Sequence, residues 1–230
     1  MANIVGAAGS GDERIITCVI YPGVTPLDLV GPLQVLATLA ALAPRYRVTT
    51  VGPDTGNVDT DLPLRLAPTA AFDQVSEPYL VMVPGCGGLS LDVLDDHQLV
   101  DYLRTVDRTA EIVASVSTGS LLLAAAGLLT GRTATTHWAY HRELERLGAR
   151  YRHRRWVEDG HYLTAAGVSA GIDAALRLVA RLADEPTARL VQLALEYDPE
   201  PPHGQIDWAA VDRDVLEPVI VGQPARERPV

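Results

Sequence analysis

Short apolar runs alternate with longer segments of helical periodicity along this chain, and this alternation limits the folds it can adopt. Strand-type runs lie at 14–21, 46–51, 79–83 and 111–116, and a short strand pair lies at 155–158 and 161–165. Helix-type segments lie at 26–42, 96–110, 119–129, 138–147, 170–182 and 185–195. The pattern predicts an α/β fold, with a doubly wound parallel sheet and helices on both faces.

Length and composition predict one domain. The chain has 230 residues, of which 47% are hydrophobic, enough for one substantial aliphatic core. We expect a single domain over 14–216. Residues 1–13 are predicted to be a disordered lead, and 217–230, which are rich in Pro, Arg and Glu, are predicted to form an irregular tail.

The charge and composition of the chain limit the kinds of molecule that it could bind. The formal net charge is −10, and every basic residue is Arg, so no broad basic field exists to attract nucleic acid or a membrane surface. The absence of Lys excludes Schiff-base chemistry, and we expect no cofactor. No leader-like or membrane-spanning apolar run is evident, and Cys18 and Cys86 lie in unlike surroundings. We therefore expect a cytoplasmic protein without disulfides that acts on a small molecule.

One segment has the pattern of a nucleophile elbow. Residues 111–120 run from an apolar strand through a turn of small residues into a helix, with Ser117 at the apex. Such an apex holds a side chain over the carboxyl end of a sheet, beside the free N–H groups of the next helix. The spacing of Ser115, Ser117 and Gly119 fits this turn. The alternative is an ordinary helix cap, because turns rich in Ser, Thr and Gly are common there.

Two further loops should lie at the same edge of the sheet, where ligands of open α/β folds bind. After the first strand, Asp28 is a lone carboxylate in an apolar turn at a helix start; it could instead only complement the helix dipole. The third strand ends at Gly85, Cys86, Gly87 and Gly88, whose backbone N–H groups could bind an anion or oxyanion.

Five blocks carry a resemblance to a known family. They are LDLVGP (27–32), PGCGG (84–88), SVSTGS (115–120) with AAAGLL (124–129), RTATTHW (132–138) and LALEYDPEPP (193–202). In these blocks the chain resembles the ThiJ/PfpI superfamily, whose members are glutamine-amidotransferase-like. Within it, the chain is most similar to the isonitrile (isocyanide) hydratases and to the sensor domains of related transcription regulators.

The resemblance implies a flavodoxin-like fold, a homodimer and a reactive Cys at the elbow beside an acidic residue. Here Ser117 takes the elbow position and Asp28 the acid position. Thr118 follows as in the hydratases, with its N–H and hydroxyl placed to hold an anion or a water, and Gly119 is a second oxyanion donor. In the family, the thiolate attacks the terminal carbon of R–N≡C, the acid moves protons, and water releases the N-formamide.

The chain departs from this pattern at the elbow, where serine stands in place of cysteine. A serine hydroxyl provides no standing anion and needs a base. Three explanations remain open: Ser117 is an engineered replacement of Cys, a natural nucleophile, or a hydrogen-bond partner of a substrate on which Asp28 acts. His137 could be the missing base or could only cap the following helix. His141 lies one turn after it, but no third ligand is suitably spaced, so we expect no metal site.

Three functions remain possible. The first is a hydratase resembling isonitrile hydratase, acting on a small, largely neutral substrate. The second is a repurposed family member that uses acid/base chemistry for dehydration, cyclisation or hydrolysis in secondary metabolism. The third is a non-catalytic small-molecule sensor. Asp28, which is placed for proton transfer, favours an enzyme over a sensor.

Overall fold

A seven-stranded sheet forms the centre of the protein, for which a computed structural model describes residues 13–87 and 91–221. The strands are β1 (Arg14–Val19), β2 (Tyr46–Gly52), β3 (Val58–Asp59), β4 (Arg65–Leu66), β5 (Ala70–Ala71), β6 (Leu80–Val83), β7 (Ile112–Val116), β8 (Thr133–Ala134), β9 (Arg150–Tyr151), β10 (Trp156–Asp159) and β11 (Tyr162–Ala165). The central sheet has the order β10-β11-β7-β6-β1-β2-β5. All its pairings are parallel except that of β10 with β11.

Helices surround this sheet in two groups. They are α1 (Pro26–Leu42), α2 (His97–Asp107), α3 (Gly119–Ala125), α4 (His141–Arg146), α5 (Ala170–Leu182), α6 (Glu185–Ala194) and α7 (Arg213–Val221). Helices α1, α5 and α6 pack against one another, as do α2, α3 and α4 in sequence. The predicted α/β architecture is confirmed, and the central sheet is mixed because of its antiparallel edge strand β10.

The buried strands bring four chain segments to one edge of the sheet. Strands β6 and β7 are buried along their whole length, as expected for the centre of a parallel sheet. In the register, Val83 is paired with Ser115, and Val116 with Ala165. The segments that follow β6, β7 and β11 therefore leave the sheet side by side, next to the end of β1.

Several elements differ from the sequence prediction. The two-residue strands β3, β4, β5, β8 and β9 are too short to produce a detectable alternation. The helix predicted over 138–147 is a short 3-10 turn followed by α4, and the one predicted over 119–129 ends at Ala125. The irregular tail predicted from 217 begins inside a helix, because α7 extends to Val221. Of the lead predicted over 1–13, residues 1–12 lie outside the described residues, whereas Glu13 pairs with Arg47.

Candidate active site

Hydrogen bonds hold the backbone of Ser117 at both its N–H and its carbonyl group. Ser117 has φ 55, in the left-handed region that residues with a side chain rarely adopt. Its N–H lies 3.1 Å from the carbonyl oxygen of Ala165 and 3.0 Å from that of Ala166, the carboxyl end of β11. Its own carbonyl accepts the hydroxyls of Thr136 and Ser120, both at 3.0 Å. These bonds stabilise a strained apex, as expected of a functional turn.

Gly119 lets this turn pack against the end of β6. A Cβ atom at Gly119 would lie 2.2 Å from the carbonyl oxygen of Val83 and 2.9 Å from that of Pro84. Any side chain here would force the two loops apart. The glycine of the predicted elbow is therefore needed for close approach of two backbones.

Asp28 is a buried carboxyl group beside the elbow. It lies in the first turn of α1 and is 1% exposed. Its Oδ2 accepts the N–H of Gly85 at 3.2 Å, whereas Oδ1 has no hydrogen-bond partner among the described residues. The pKa of Asp28 is raised to about 7, mainly by burial; the N–H of Gly85 and the hydroxyl of Ser117 partly oppose the rise, and the charge of Asp61 adds to it.

Three successive N–H groups of the glycine loop are bound by side chains from three different elements. The donors are Gly85, Cys86 and Gly87. Their acceptors, in the same order, are Asp28 Oδ2 at 3.2 Å, Thr118 Oγ1 at 2.8 Å and Asp61 Oδ2 at 3.0 Å. These amides hold the loop in place, so their role as oxyanion donors stays a prediction. Gly88, the fourth expected donor, lies outside the described residues.

Thr118 fastens the glycine loop to the elbow. Its hydroxyl accepts the Cys86 N–H and donates to the Cys86 carbonyl at 3.0 Å. Because both hydrogen-bonding capacities of the hydroxyl face this loop, the backbone N–H groups of Thr118 and Gly119 are the better candidates for binding an anion. A Cβ on Gly85 would lie 2.6 Å from Thr118 Oγ1 and 2.8 Å from Asp28 Oδ2, so these groups converge at one point.

Cys86 presents its backbone to the site rather than a reactive thiolate. Burial raises the pKa of its thiol, and hydrogen bonds with Thr118 and Tyr21 only partly oppose this. The Tyr21 hydroxyl donates to the Pro84 carbonyl at 2.7 Å and so holds the start of the same loop. A thiol that stays protonated is a weak nucleophile, so Cys86 does not replace the cysteine that the elbow lacks.

His137 caps a short helix next to the elbow. Its Nδ1 accepts the Ala139 N–H at 3.3 Å, and its ring packs over Gly167, where a Cβ would lie 2.8 Å from Cδ2. Burial lowers the pKa of His137, which favours the neutral ring, and acceptance of the Ala139 N–H by Nδ1 assigns the ring proton to Nε2. In this tautomer Nε2 donates rather than accepts, which favours the capping role. The catalytic-base role of His137 stays a prediction.

Asp61 lies at the candidate site, although the sequence did not predict it there. It lies between the two-residue strands β3 and β4, where no periodic pattern marks the chain, and it reaches Gly87 only through the tertiary fold. The one sequence signal that could have identified Asp61 is that it is an acidic residue beside a turn. Within 13–87 and 91–221, no three His, Cys, Asp or Glu side chains are grouped so as to hold a metal ion.

Known proteins resemble this chain in sequence. Residues 13–181 match the DJ-1/PfpI family. The chain belongs to the DJ-1/PfpI family. It is 45% identical over 183 residues to isonitrile hydratase of Pseudomonas putida, covering 80% of this chain and 78% of that protein. The predicted membership of the ThiJ/PfpI superfamily, close to isonitrile hydratase, is thus confirmed.

Solved structures and regulators of this family extend the comparison. A ThiJ/PfpI family protein from Pseudomonas syringae superposes with a TM-score of 0.82 at 30% identity, covering 96% of this chain and 91% of that one. The transcriptional regulator GlxA of Rhizobium meliloti is 29% identical over 157 residues, 67% of this chain but 48% of its own length. DJ-1/PfpI domains thus occur in hydratases and in regulators. No helix in the described part of the chain could cross a membrane.

Proposed function

We propose that the protein hydrates a small neutral isonitrile-like compound, converting R–N≡C and water into an N-formamide. One observation carries the proposal: Asp28 is a buried carboxyl group with a pKa near 7 and an unpartnered Oδ1, directly beside the elbow. The 45% identity to isonitrile hydratase supports the same class of reaction. A group whose pKa lies near the working pH is suited both to give and to take a proton.

Asp28 supplies a complete proton cycle for this reaction. The lone pair of the terminal isonitrile carbon takes the proton of the Asp28 carboxyl group, which leaves a nitrilium, R–N≡C–H⁺, and a carboxylate. Water then adds to the same carbon and returns one proton to Asp28. The resulting imidic acid, R–N=CH–OH, moves its hydroxyl proton to nitrogen and becomes R–NH–CHO. Atoms and charge balance, and Asp28 ends in its starting state.

Ser117 takes the place of the family's nucleophile without needing to become an anion. Its hydroxyl interacts with the Asp28 carboxyl group and is held at the apex of the elbow. We assign to it the orientation of the attacking water, because a neutral hydroxyl both donates and accepts hydrogen bonds. The proposed intermediate is a cation, which N–H groups do not stabilise. The N–H groups of Thr118 and Gly119 would instead donate to the oxygen atom that water adds to the substrate.

Formamide production from small alkyl and aryl isonitriles tests the proposal. We expect turnover by the native chain, a loss on the order of 10²-fold or more in kcat for Asp28→Asn, and a smaller loss for Ser117→Ala. Full activity of Asp28→Asn contradicts the proposed mechanism. Tight binding of isonitriles without turnover by any form favours the sensor, and turnover only of other small electrophiles favours the repurposed enzyme.

We propose further that the enzyme works as a cytoplasmic homodimer. Exposed leucine and valine side chains support an interface: Leu27 and Val30 on α1, and Leu62 and Leu64 between β3 and β4. Buried apolar area of this kind drives association of like chains. Sedimentation of the native chain and of Leu27→Asp tests the dimer, and a native monomer contradicts it.

A further inference from the structure

Asp61 ties the turn between β3 and β4 to two loops of the active site. Its side-chain Oδ2 accepts the Thr25 hydroxyl at 2.5 Å and the Gly87 N–H at 3.0 Å. Its backbone N–H donates to the Val24 carbonyl at 3.3 Å. One carboxylate therefore connects the loop before α1 with the glycine loop after β6.

Two neighbours of Asp61, Thr25 and Gly87, are adapted to bind its carboxylate. Thr25 occupies the N-cap position of α1, yet its hydroxyl does not cap the helix and donates to Asp61 instead. A Cβ at Gly87 would lie 2.3 Å from Asp61 Oδ2, so a side chain there would push the Asp61 carboxylate out of this contact. These features indicate that the Asp61 contacts are part of how the loops are built rather than incidental surface bonds.

The same loop lies between Asp61 and Asp28. Gly85 donates to Asp28 from one end of the loop, and Gly87 donates to Asp61 from the other. The charge of Asp61 raises the pKa of Asp28, and it also raises the pKa values of Tyr21 and Cys86. Like charges near one another disfavour the second ionisation.

The other groups that face Asp28 act differently. Tyr21, which binds the glycine loop at Pro84, and Cys86, within that loop, both have raised pKa values and stay neutral near pH 7. The Ser117 hydroxyl and the Gly85 N–H favour the carboxylate form of Asp28. Among the groups acting on Asp28 in the described part of the chain, Asp61 is thus the charged one that favours its acid form.

We propose that Asp61 is a positioning residue of the active site, which clamps the glycine loop that Asp28 also holds and places there a negative charge that adds to the effect of burial in favouring the acid form of Asp28. The inference deepens the proposed function, since the acid form of Asp28 is the proton donor there. Asp61 itself need not touch the substrate. Its two effects are separable, because an amide oxygen can replace the acceptor but not the charge.

Carboxyl carbon NMR, with Asp28→Asn used to assign the Asp28 signal, measures the protonation of Asp28 without any assay of activity. We expect Asp61→Asn to move the Asp28 midpoint to lower pH while the loop stays clamped. The matched control is Asp54→Asn, which removes an equal charge at another exposed Asp whose Oδ1 accepts a glycine N–H, that of Gly56 at 2.6 Å. The control should leave the midpoint of Asp28 unchanged.

Amide hydrogen exchange at Gly87 tests the clamp separately. Exchange should be faster in Asp61→Ala, which lacks the acceptor, than in Asp61→Asn, which keeps one. An Asp28 midpoint in Asp61→Asn equal to that of the control overturns the electrostatic role, and unchanged Gly87 exchange in Asp61→Ala overturns the clamp. If the native Asp28 midpoint lies near 4, the proposed function fails, while the shift between variants still decides the role of Asp61.

Discussion

Asp28 accepts the N–H of Gly85 through Oδ2, at 3.2 Å, while its Oδ1 has no hydrogen-bond partner among the described residues. One oxygen is thus occupied in holding the glycine loop, and the other has capacity for a further hydrogen bond. A buried polar atom without a partner costs free energy, and such a cost is commonly retained where a substrate or water completes the contact. This division of roles within one carboxyl group is the basis of the predictions on Asp28.

Stability should depend on pH through Asp28. Its pKa rises from 3.8 to about 7 on folding, so the native state binds more protons than the unfolded state between these values. The free energy of unfolding should therefore fall as pH rises from about 4 to about 7, by up to about 4 kcal/mol from this group. Urea unfolding across this range should show the fall in the native chain and its reduction in Asp28→Asn. Parallel curves for the two proteins would contradict the raised pKa.

Replacing Ser117 by cysteine should increase isonitrile hydration. The turn at Ser117, Asp28 and the glycine loop lie together, and a thiol supplies far more anion near neutral pH than a hydroxyl does. Formamide release by Ser117→Cys should exceed that of the native chain, with Ser117→Ala as the control that lacks any heteroatom. Equal and negligible rates in all three forms would show that the substrate class is wrong.

Adding a methyl group at Gly85 should lower activity more than it lowers stability. In Gly85→Ala the new atom would lie 2.6 Å from Thr118 Oγ1 and 2.7 Å from Thr118 N, so the loop must shift, at a cost of about 1–3 kcal/mol. Gly127→Ala is the control, because its φ of +83 makes alanine strained although no atom lies within 4 Å. Both variants should melt earlier, but only Gly85→Ala should lose most of its kcat. Similar activity losses in both would contradict this.

Removing the Thr118 hydroxyl should loosen the glycine loop. Thr118→Val leaves the buried Cys86 N–H and carbonyl without their side-chain partner, which should cost about 1–3 kcal/mol of unfolding free energy. Thr118→Ser keeps the hydroxyl and should retain most of the stability. Calorimetry of the two variants separates the hydroxyl from the lost methyl group. A valine form as stable as the native chain would show that the contact contributes little.

Long elements were predictable from sequence, and short ones were not. The span of α1 was predicted without error over 26–42, because its apolar residues and its proline at the start mark it. The two-residue strands around Asp61 leave no such mark, so the second carboxylate of the site was missed. The hydroxyl of Thr118 was expected to face a ligand, whereas packing of the elbow against the glycine loop directs it to Cys86. Such pairings depend on the tertiary fold.

The backbone geometry of the elbow at position 117 does not depend on which side chain stands there. Two carbonyls hold the Ser117 N–H and two hydroxyls hold its carbonyl, so the backbone alone sets where the Cβ atom points. The side chain contributes nothing to these four bonds. On such a turn, one substitution can exchange the serine oxygen for a cysteine sulfur without changing the backbone. A family with this turn could therefore change between a covalent and an acid-catalysed mechanism while keeping the same fold.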